Sequence, residues 1–283
     1  MQFARFGDDR YGFVRGDEVY DITELAERSI AAQPALRWGD PFVAALAAVR
    51  EGLASAGLGA PVARVADVVL LSPVARPSKL IAAPVNYDLH IAEAEADREI
   101  SLGKAVARID EAGLFLKATS SLVGPGEGVA LRFPDRRTDH ELELAVVIGR
   151  TAAGVEKEAA LGVVAGYAMG LDMSVRGSED RSLRKSIDSY AVLGPWLVTA
   201  DEIPDPDGLA FTLRVNGAVR QQANTIGLLR DVRHLIAWAS QWYTLYPGDV
   251  IYTGTPAGVG PVVPGDRMDA EFERIGTMTV VVR

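Results

Sequence analysis

The chain has 283 residues, 48% of them hydrophobic and 24% charged, with a formal net charge of -9 and no cysteine. That length holds one large domain, or a large one with a small appendage. The missing cysteine excludes disulfides, a thiolate nucleophile and zinc–thiolate sites; the acidic balance argues against nucleic acid as a partner; and no run approaches the ~20 apolar residues of a membrane span.

The opening residues, Met1 to Asp8, lack the apolar core of a signal peptide, so the cytoplasm is the expected compartment. Phe3, Phe6, Phe13, Val14, Val19 and Tyr20 alternate loosely with polar residues around Gly7-Asp8-Asp9 and Gly16-Asp17, which predicts short strands over 1–25. Apolar residues at helical spacing (Phe42, Leu46, Val49, Leu53) follow Asp40-Pro41, an N-cap and first-turn pair, and predict a helix over 41–56. Residues 68–74 read as a short strand. Ala75-Arg76-Pro77-Ser78 reads as a boundary between a small N-terminal domain, 1–75, and a main domain, 76–283.

The main domain opens with a strand, Lys79 to Pro84, leading into Asn86-Tyr87. Residues 88–102 have helix-forming composition but a weak apolar stripe, as in a mobile lid or an ordinary surface helix. His90 and Glu93 are three apart and share a helix face. A carboxylate beside an imidazole orients the ring as a general base needs, although solvent-exposed pairs at this spacing are common.

Asp139-His140-Glu141-Leu142-Glu143-Leu144-Ala145-Val146-Val147-Ile148-Gly149 places two carboxylates inside a buried-strand pattern. Alternation points Glu141 and Glu143 the same way, roughly 7 Å apart. Such a pair fits either a solvated acidic edge or a hard divalent cation. His140 flanks the pair and is placed to support it, whereas His234 falls in an apolar helical stretch, 228–242, and reads as structural. A second apolar strand, 162–172, ends at Asp172, a candidate third ligand. The polar run Arg176 to Ser189 follows, either a solvated loop or a source of cations for an anionic substrate. Asn216-Gly217 signals a hairpin. The glycine-rich Tyr246 to Gly260 segment has no Gly-Lys-Ser/Thr and is not a phosphate loop; it reads as a strand and a loop whose backbone can approach a ligand.

Taken in order, these segments resemble the catalytic C-terminal domain of the fumarylacetoacetate hydrolase family. The matching residues are Asn86-Tyr87 with His90 and Glu93; Phe115 with Lys117; Glu141-Leu142-Glu143-Leu144; Gly166-Tyr167 to Asp172 and Arg176; Lys185; Gly194-Pro195; Val215-Asn216-Gly217; and Pro247-Gly248-Asp249 through Thr253-Gly254-Thr255-Pro256. The resemblance covers about 79–283. It implies an α+β, mostly β fold: a mixed β-sandwich roll with flanking short helices, here with a small N-terminal α/β domain, usually as a homodimer. It also implies Mg²⁺ or Mn²⁺ (Ca²⁺ in some crystals) held by Glu141, Glu143 and Asp172, and a small anionic 2-oxo acid as substrate. By the same likeness His90 with Glu93 activates water from a lid and Lys185 stabilises the developing enolate. Arg176 and Thr255 hold substrate oxygens, with Glu179, Tyr87, Lys117 and Ser189 as further substrate contacts. Three positions depart from the pattern: Glu179 stands where relatives carry Gln, Gly177 where they carry Asp, and Ala83-Pro84 replaces a glycine.

The expected activity is hydrolysis of a carbon–carbon bond in an acylpyruvate-like 1,3-diketo acid. An isomerase, a decarboxylase (of oxaloacetate, for example) or a hydratase acting on a 2-oxo acid is the alternative. A non-catalytic binding protein of the same fold is the third expectation.

Overall fold

The computed structural model describes residues 1–283. A large mixed sheet runs through the molecule, and its middle strands are, in spatial order, Ala191–Thr199, Val164–Asp172, Leu142–Ile148, Val250–Tyr252 and Leu80–Ala82. Leu142–Ile148 is buried throughout because both faces of the sheet are covered. Ala145 and Val147 pack with Phe42, Val43, Leu46 and Val49 of the helix Pro41–Ala56. Leu142, Leu144, Val146 and Ile148 pack on the other side with Leu213, Phe272 and the helix Val232–Trp242. Double burial removes the polar alternation of a one-sided strand and leaves a near-continuous apolar run.

Register then decides where the acidic residues fall. Glu143 pairs with Gly170 and Ala145 with Ala168. Alternation puts Glu143, Ala145 and Val147 on one face with Ala168, Gly170 and Asp172. Gly170 is needed there, since a Cβ would come within 2.5 Å of the Tyr252 ring.

A three-stranded sheet of Ser174–Val175, Thr138–His140 and Gly260–Pro261 abuts this end. The chain crosses between the small and large sheets just at Glu141 and again after Asp172. Here the sequence expectation of one unbroken acidic strand is corrected: Glu141 sits in the gap between two strands. The Asp172 amide still donates to the Glu141 carbonyl at 2.9 Å, holding the two crossings together. A four-stranded antiparallel sheet completes the roll, in the order Ala218–Asn224, Ala210–Val215, Arg267–Phe272, Gly276–Val281. Its hairpin turns at Asn216-Gly217, both at positive φ (51° and 81°), as the sequence predicts.

The N-terminal strands Gln2–Phe6, Arg10–Arg15 and Glu18–Asp21 extend the large sheet, with Gln2 opposite Val198 and Phe3 opposite Leu197. The strand read over 68–74 shrinks to Leu70–Leu71. Pro73 has no amide to give, and the Ser72 hydroxyl donates to the Val74 carbonyl at 2.7 Å, turning the chain. The helix read over 88–102 is two, Asp88–Ala96 and Arg98–Ser101. Asp97 between them is extended and accepts the Glu99 amide at 2.8 Å, ending one helix and capping the next. No helix is long and apolar enough to cross a membrane.

Asp40 ties the N-terminal helix to the rest. Its buried carboxylate caps Pro41–Ala56 through the Val43 amide (3.0 Å) and accepts the amides of Ala75 and Arg76 at 2.8 and 2.9 Å. Asp40→Ala strands three donors, so unfolding in urea should show a loss of about 3 kcal/mol, with Asp40→Asn recovering part of it. A change below about 0.5 kcal/mol contradicts this account of the cap.

Candidate active site

Glu141, Glu143 and Asp172 converge where the two sheets meet. One oxygen from each lies within 4.8 Å of the others, and all three side chains are buried. Like charges so close and so dry repel strongly unless cations intervene. The chain supplies several. Lys185 Nζ donates to Glu141 Oε2 and Asp172 Oδ2, each at 2.7 Å, and to the Ser174 hydroxyl. Arg176 donates from Nη2 to Glu141 Oε1 at 2.9 Å and from Nε to Asp139 Oδ2 at 2.8 Å. Lys117 is fully buried and bonds Asp172 Oδ1 and the Lys185 carbonyl. Burial pulls the Lys117 ammonium below its ordinary range, with Asp172 opposing.

These cations divide unevenly, and so do the protons. Burial pushes the Glu141 carboxyl up, but Lys185, Arg176 and His90 outweigh it and hold it well below the usual carboxylate range. Glu143 has no cation of its own; its one bond is from the Gly254 amide to Oε2, at 2.6 Å. Burial, then the charges of Asp172 and Glu141, push it well above its ordinary value, so it takes up a proton more readily than Glu141. A donor set of three convergent carboxylate oxygens, one of them from an acid with no cation of its own, fits a hard divalent ion. The residues present therefore suit the metal that the sequence leads one to expect.

A cavity of about 260 Å³ opens onto this triad, lined also by His90, Arg176, Lys185, Thr255 and residues of the segment 100–107. His90 lies on the helix Asp88–Ala96, its ring buried, with Nδ1 at 3.0 Å from Glu93 Oε2. Burial pushes Glu93 up, but the His90 contact and the Gly258 amide, 2.9 Å from Oε1, leave it below its usual range. An ionised Glu93 accepts only, so the hydrogen is assigned to Nδ1, which leaves Nε2 with its lone pair free. Thr255 Oγ1 is held at 3.0 Å from the Leu142 carbonyl and 2.7 Å from Gln221 Nε2.

Four of the expected substrate contacts do not line the cavity. The Tyr87 hydroxyl points to the Asn224 carbonyl at 3.5 Å. Ser189 accepts the Ala130 amide at 2.9 Å. Lys117 is spent on Asp172, as above. Glu179 is drawn out by Arg136, which gives it two bonds of 2.8 Å. Gly177 makes that pairing possible, since a Cβ there would meet Arg136 Nη2 at 2.2 Å and Glu179 Oε2 at 2.4 Å.

Sequence reasoning missed Gln221, Arg137 and Asp139. Gln221 is fully buried and accepts the Leu142 amide at 3.0 Å, approaches His140 Nδ1 at 3.3 Å and donates to Thr255 and the Pro256 carbonyl. It lies on a strand that is otherwise largely exposed, and no local pattern marks it. His140 is fully buried beside it with Nε2 unpartnered, and burial lowers its basicity. Arg137 joins Asp97 (2.7 Å) and Glu99 (2.8 Å), just after the helix that carries His90, to Asp139 (2.8 Å), the partner of Arg176. His234 stays structural: its amide is capped by Asp231 and its ring meets Trp238 edge-on.

Residues 79–283 match the family described as fumarylacetoacetate (FAA) hydrolase, C-terminal. The chain belongs to the fumarylacetoacetate hydrolase family. It is 54% identical over 285 residues to maleylpyruvate hydrolase of Aquipseudomonas alcaligenes, spanning 100% of this chain and 99% of that one. It is 38% identical over 231 residues to oxaloacetate tautomerase FAHD2A, mitochondrial, of Homo sapiens, spanning 77% and 70%. The crystal structure of maleylpyruvate hydrolase from Sphingobium sp. SYK-6 in complex with manganese(II) ion and pyruvate superposes with a TM-score of 0.82 at 41% identity, covering 100% of this chain and 98% of that one. The expected family and α+β, mostly β architecture stand.

Two substitutions separate the roles of the paired glutamates. Glu143→Gln replaces an acid that has no cation partner by its isostere and should leave the unfolding midpoint nearly unchanged while Mn²⁺ affinity, read by calorimetry, falls at least about 100-fold. Glu141→Gln leaves Lys185 and Arg176 short of a counter-ion and should cost about 3 kcal/mol of stability. Equal stability losses would contradict this difference between the two acids. The raised Glu143 carboxyl fixes a sign for pH: a proton there competes with Mn²⁺, so affinity should rise with pH, by up to about tenfold per unit, while that carboxyl is still protonated. Affinity independent of pH would show that all three acids are ionised before the metal arrives.

Proposed function

We propose that this chain is a divalent-metal-dependent hydrolase that cleaves the carbon–carbon bond of an acylpyruvate, with maleylpyruvate the first candidate substrate. The observation that carries the reading is that buried His90, held by the half-buried Glu93, lines the same cavity as the acid triad. A Mg²⁺ or Mn²⁺ ion held by Glu141, Glu143 and Asp172 supplies Lewis acidity for the 2-oxo acid end of the substrate. His90 takes a proton from water at Nε2, and Glu93 steadies the imidazolium. The water oxygen adds to the distal carbonyl carbon. The bond between that carbon and the methylene breaks, its electron pair goes to the pyruvate half, and the proton returns from His90 to the methylene carbon. The products are a carboxylic acid and pyruvate. Lys185 and Arg176 are charged side chains of the same cavity and offset the negative charge that builds up. Thr255 lines the same cavity, and its hydroxyl, which donates to the Leu142 carbonyl and accepts from Gln221, holds a substrate oxygen only by turning away from Leu142.

A second reading is favoured by the likeness to an oxaloacetate tautomerase. Moving a proton on a 2-oxo acid asks only for His90 as the proton carrier and for charge stabilisation at the triad. Residues 1–75 serve, in this reading, as a small domain that buttresses the catalytic unit 76–283. The cytoplasm and a homodimer complete the proposal.

Turnover of maleylpyruvate in ¹⁸O-labelled water separates the readings. Hydrolysis places label in the acid released from the distal carbonyl, and His90→Ala should lower kcat about 10³-fold. Ketone–enol interconversion of oxaloacetate without acylpyruvate cleavage would transfer the assignment to the second reading.

A further inference from the structure

The cavity carries more positive charge than the triad uses. Arg181 and Arg184 flank the turn Arg181–Arg184, and both line the cavity that holds Glu141, Glu143 and Asp172. Arg176 and Lys185, on either side of this turn in sequence, are already paired with Glu141. Arg181 and Arg184 form no ion pair, because the acids near them in sequence are engaged elsewhere. Glu179 takes both bonds from Arg136. Asp180 accepts the Ser182 amide at 2.8 Å, and Asp188 faces Arg132 at 3.5 Å.

Each guanidinium group nevertheless has a contact that steadies it. Arg184 donates from Nε to the Glu179 carbonyl at 3.1 Å and from Nη1 to the Val175 carbonyl at 3.3 Å, which leaves Nη2 unspent. Arg181 stands 5.5 Å from the Phe115 ring centroid. Burial pulls both groups below their ordinary basicity, the mark of a half-buried cation short of a counter-ion. Val85, Ala94, Val106 and Phe115 line the same cavity and give a carbon chain apolar contact. At about 260 Å³ the space suits a small metabolite, being below the ~300–1,000 Å³ of drug-sized pockets.

We infer that Arg181 and Arg184 form the subsite for a second carboxylate at the end of the substrate remote from the 2-oxo acid, and so select dicarboxylic over monocarboxylic acylpyruvates. The inference rests on the hydrolase reading for the identity of the substrate, and on the geometry for the subsite itself. A carboxylate placed between two guanidinium groups gains charge-assisted bonds and relieves both cations at once.

The test uses the full, manganese-loaded chain and the double variant Arg181→Gln, Arg184→Gln. The readout is the ratio of kcat/KM for maleylpyruvate to that for acetylpyruvate. The ratio should fall roughly 10- to 100-fold in the variant, mainly through KM. A variant that slows both substrates alike, or neither, overturns the subsite. Calorimetric binding of 2-oxoadipate and 2-oxohexanoate, which have no 1,3-dicarbonyl to cleave, supplies a readout free of turnover. The wild type should prefer the diacid and the variant should lose the preference; equal affinities in the wild type overturn the subsite whatever the turnover. A wild type that cleaves no acylpyruvate but keeps the diacid preference sinks the hydrolase reading and supports the subsite.

Discussion

Mutual repulsion among three carboxylates in a dry crevice is the constraint to which the surrounding structure answers. Close acids in a low-dielectric site are tolerated only with compensating charge. Lys185, Arg176 and Lys117 are all buried, and each has the triad as a partner. Two sheets meet at this spot because each acid-bearing strand leaves one ladder and enters another there. Backbone freed by that crossing is recovered locally: the Asp172 amide reaches the Glu141 carbonyl, the Leu142 amide reaches Gln221, and Gly254 serves Glu143. Polar groups left over at such a junction would be costly, and nearly all are satisfied.

The wall opposite the triad is built on a different principle. The helix carrying His90 has little apolar face, and it is held by polar ties at two points. Glu93 grips the Gly258 amide of the glycine-rich loop, and Arg137 collects Asp97 and Glu99. Gly258, at φ 97°, lies too close to the Arg220 carbonyl for any side chain, so the loop can approach the helix only as glycine. From Arg137 the contacts run through Asp139 and Arg176 to Glu141. Helix and acids thus share one chain of ion pairs, whereas the sheet beneath them is held by apolar burial.

What the sequence revealed follows what local chemistry encodes. The Asp40-Pro41 cap, the Asn216-Gly217 turn and the doubly buried strand at Leu142 are written in adjacent residues and were legible. The acids, His90 and Lys185 were legible too, through spacing and through likeness to a family. Gln221 and Arg137 were not, because their partners lie far along the chain: Gln221 serves Leu142 and Thr255, and Arg137 serves Asp97. Tyr87, Ser189 and Glu179 were placed at the substrate by analogy. Each is turned elsewhere by a contact that no short motif contains, Glu179 by Arg136 across the space that Gly177 leaves. The break of the helical run 88–102 at Asp97 belongs to the same class, since composition favoured continuation and the cap won.

The first strand has a bearing on how such a chain can be trimmed. Gln2 and Phe3 cover the outer rim of Ala191–Thr199, and Phe3 stacks edge-on against Phe42. A polypeptide shortened to the matched segment would present an uncapped row of amides and carbonyls beside a bare greasy flank, the combination that recruits neighbouring molecules into aggregates. Anyone dissecting this protein should expect the isolated C-terminal portion to be sticky in solution before it is inactive.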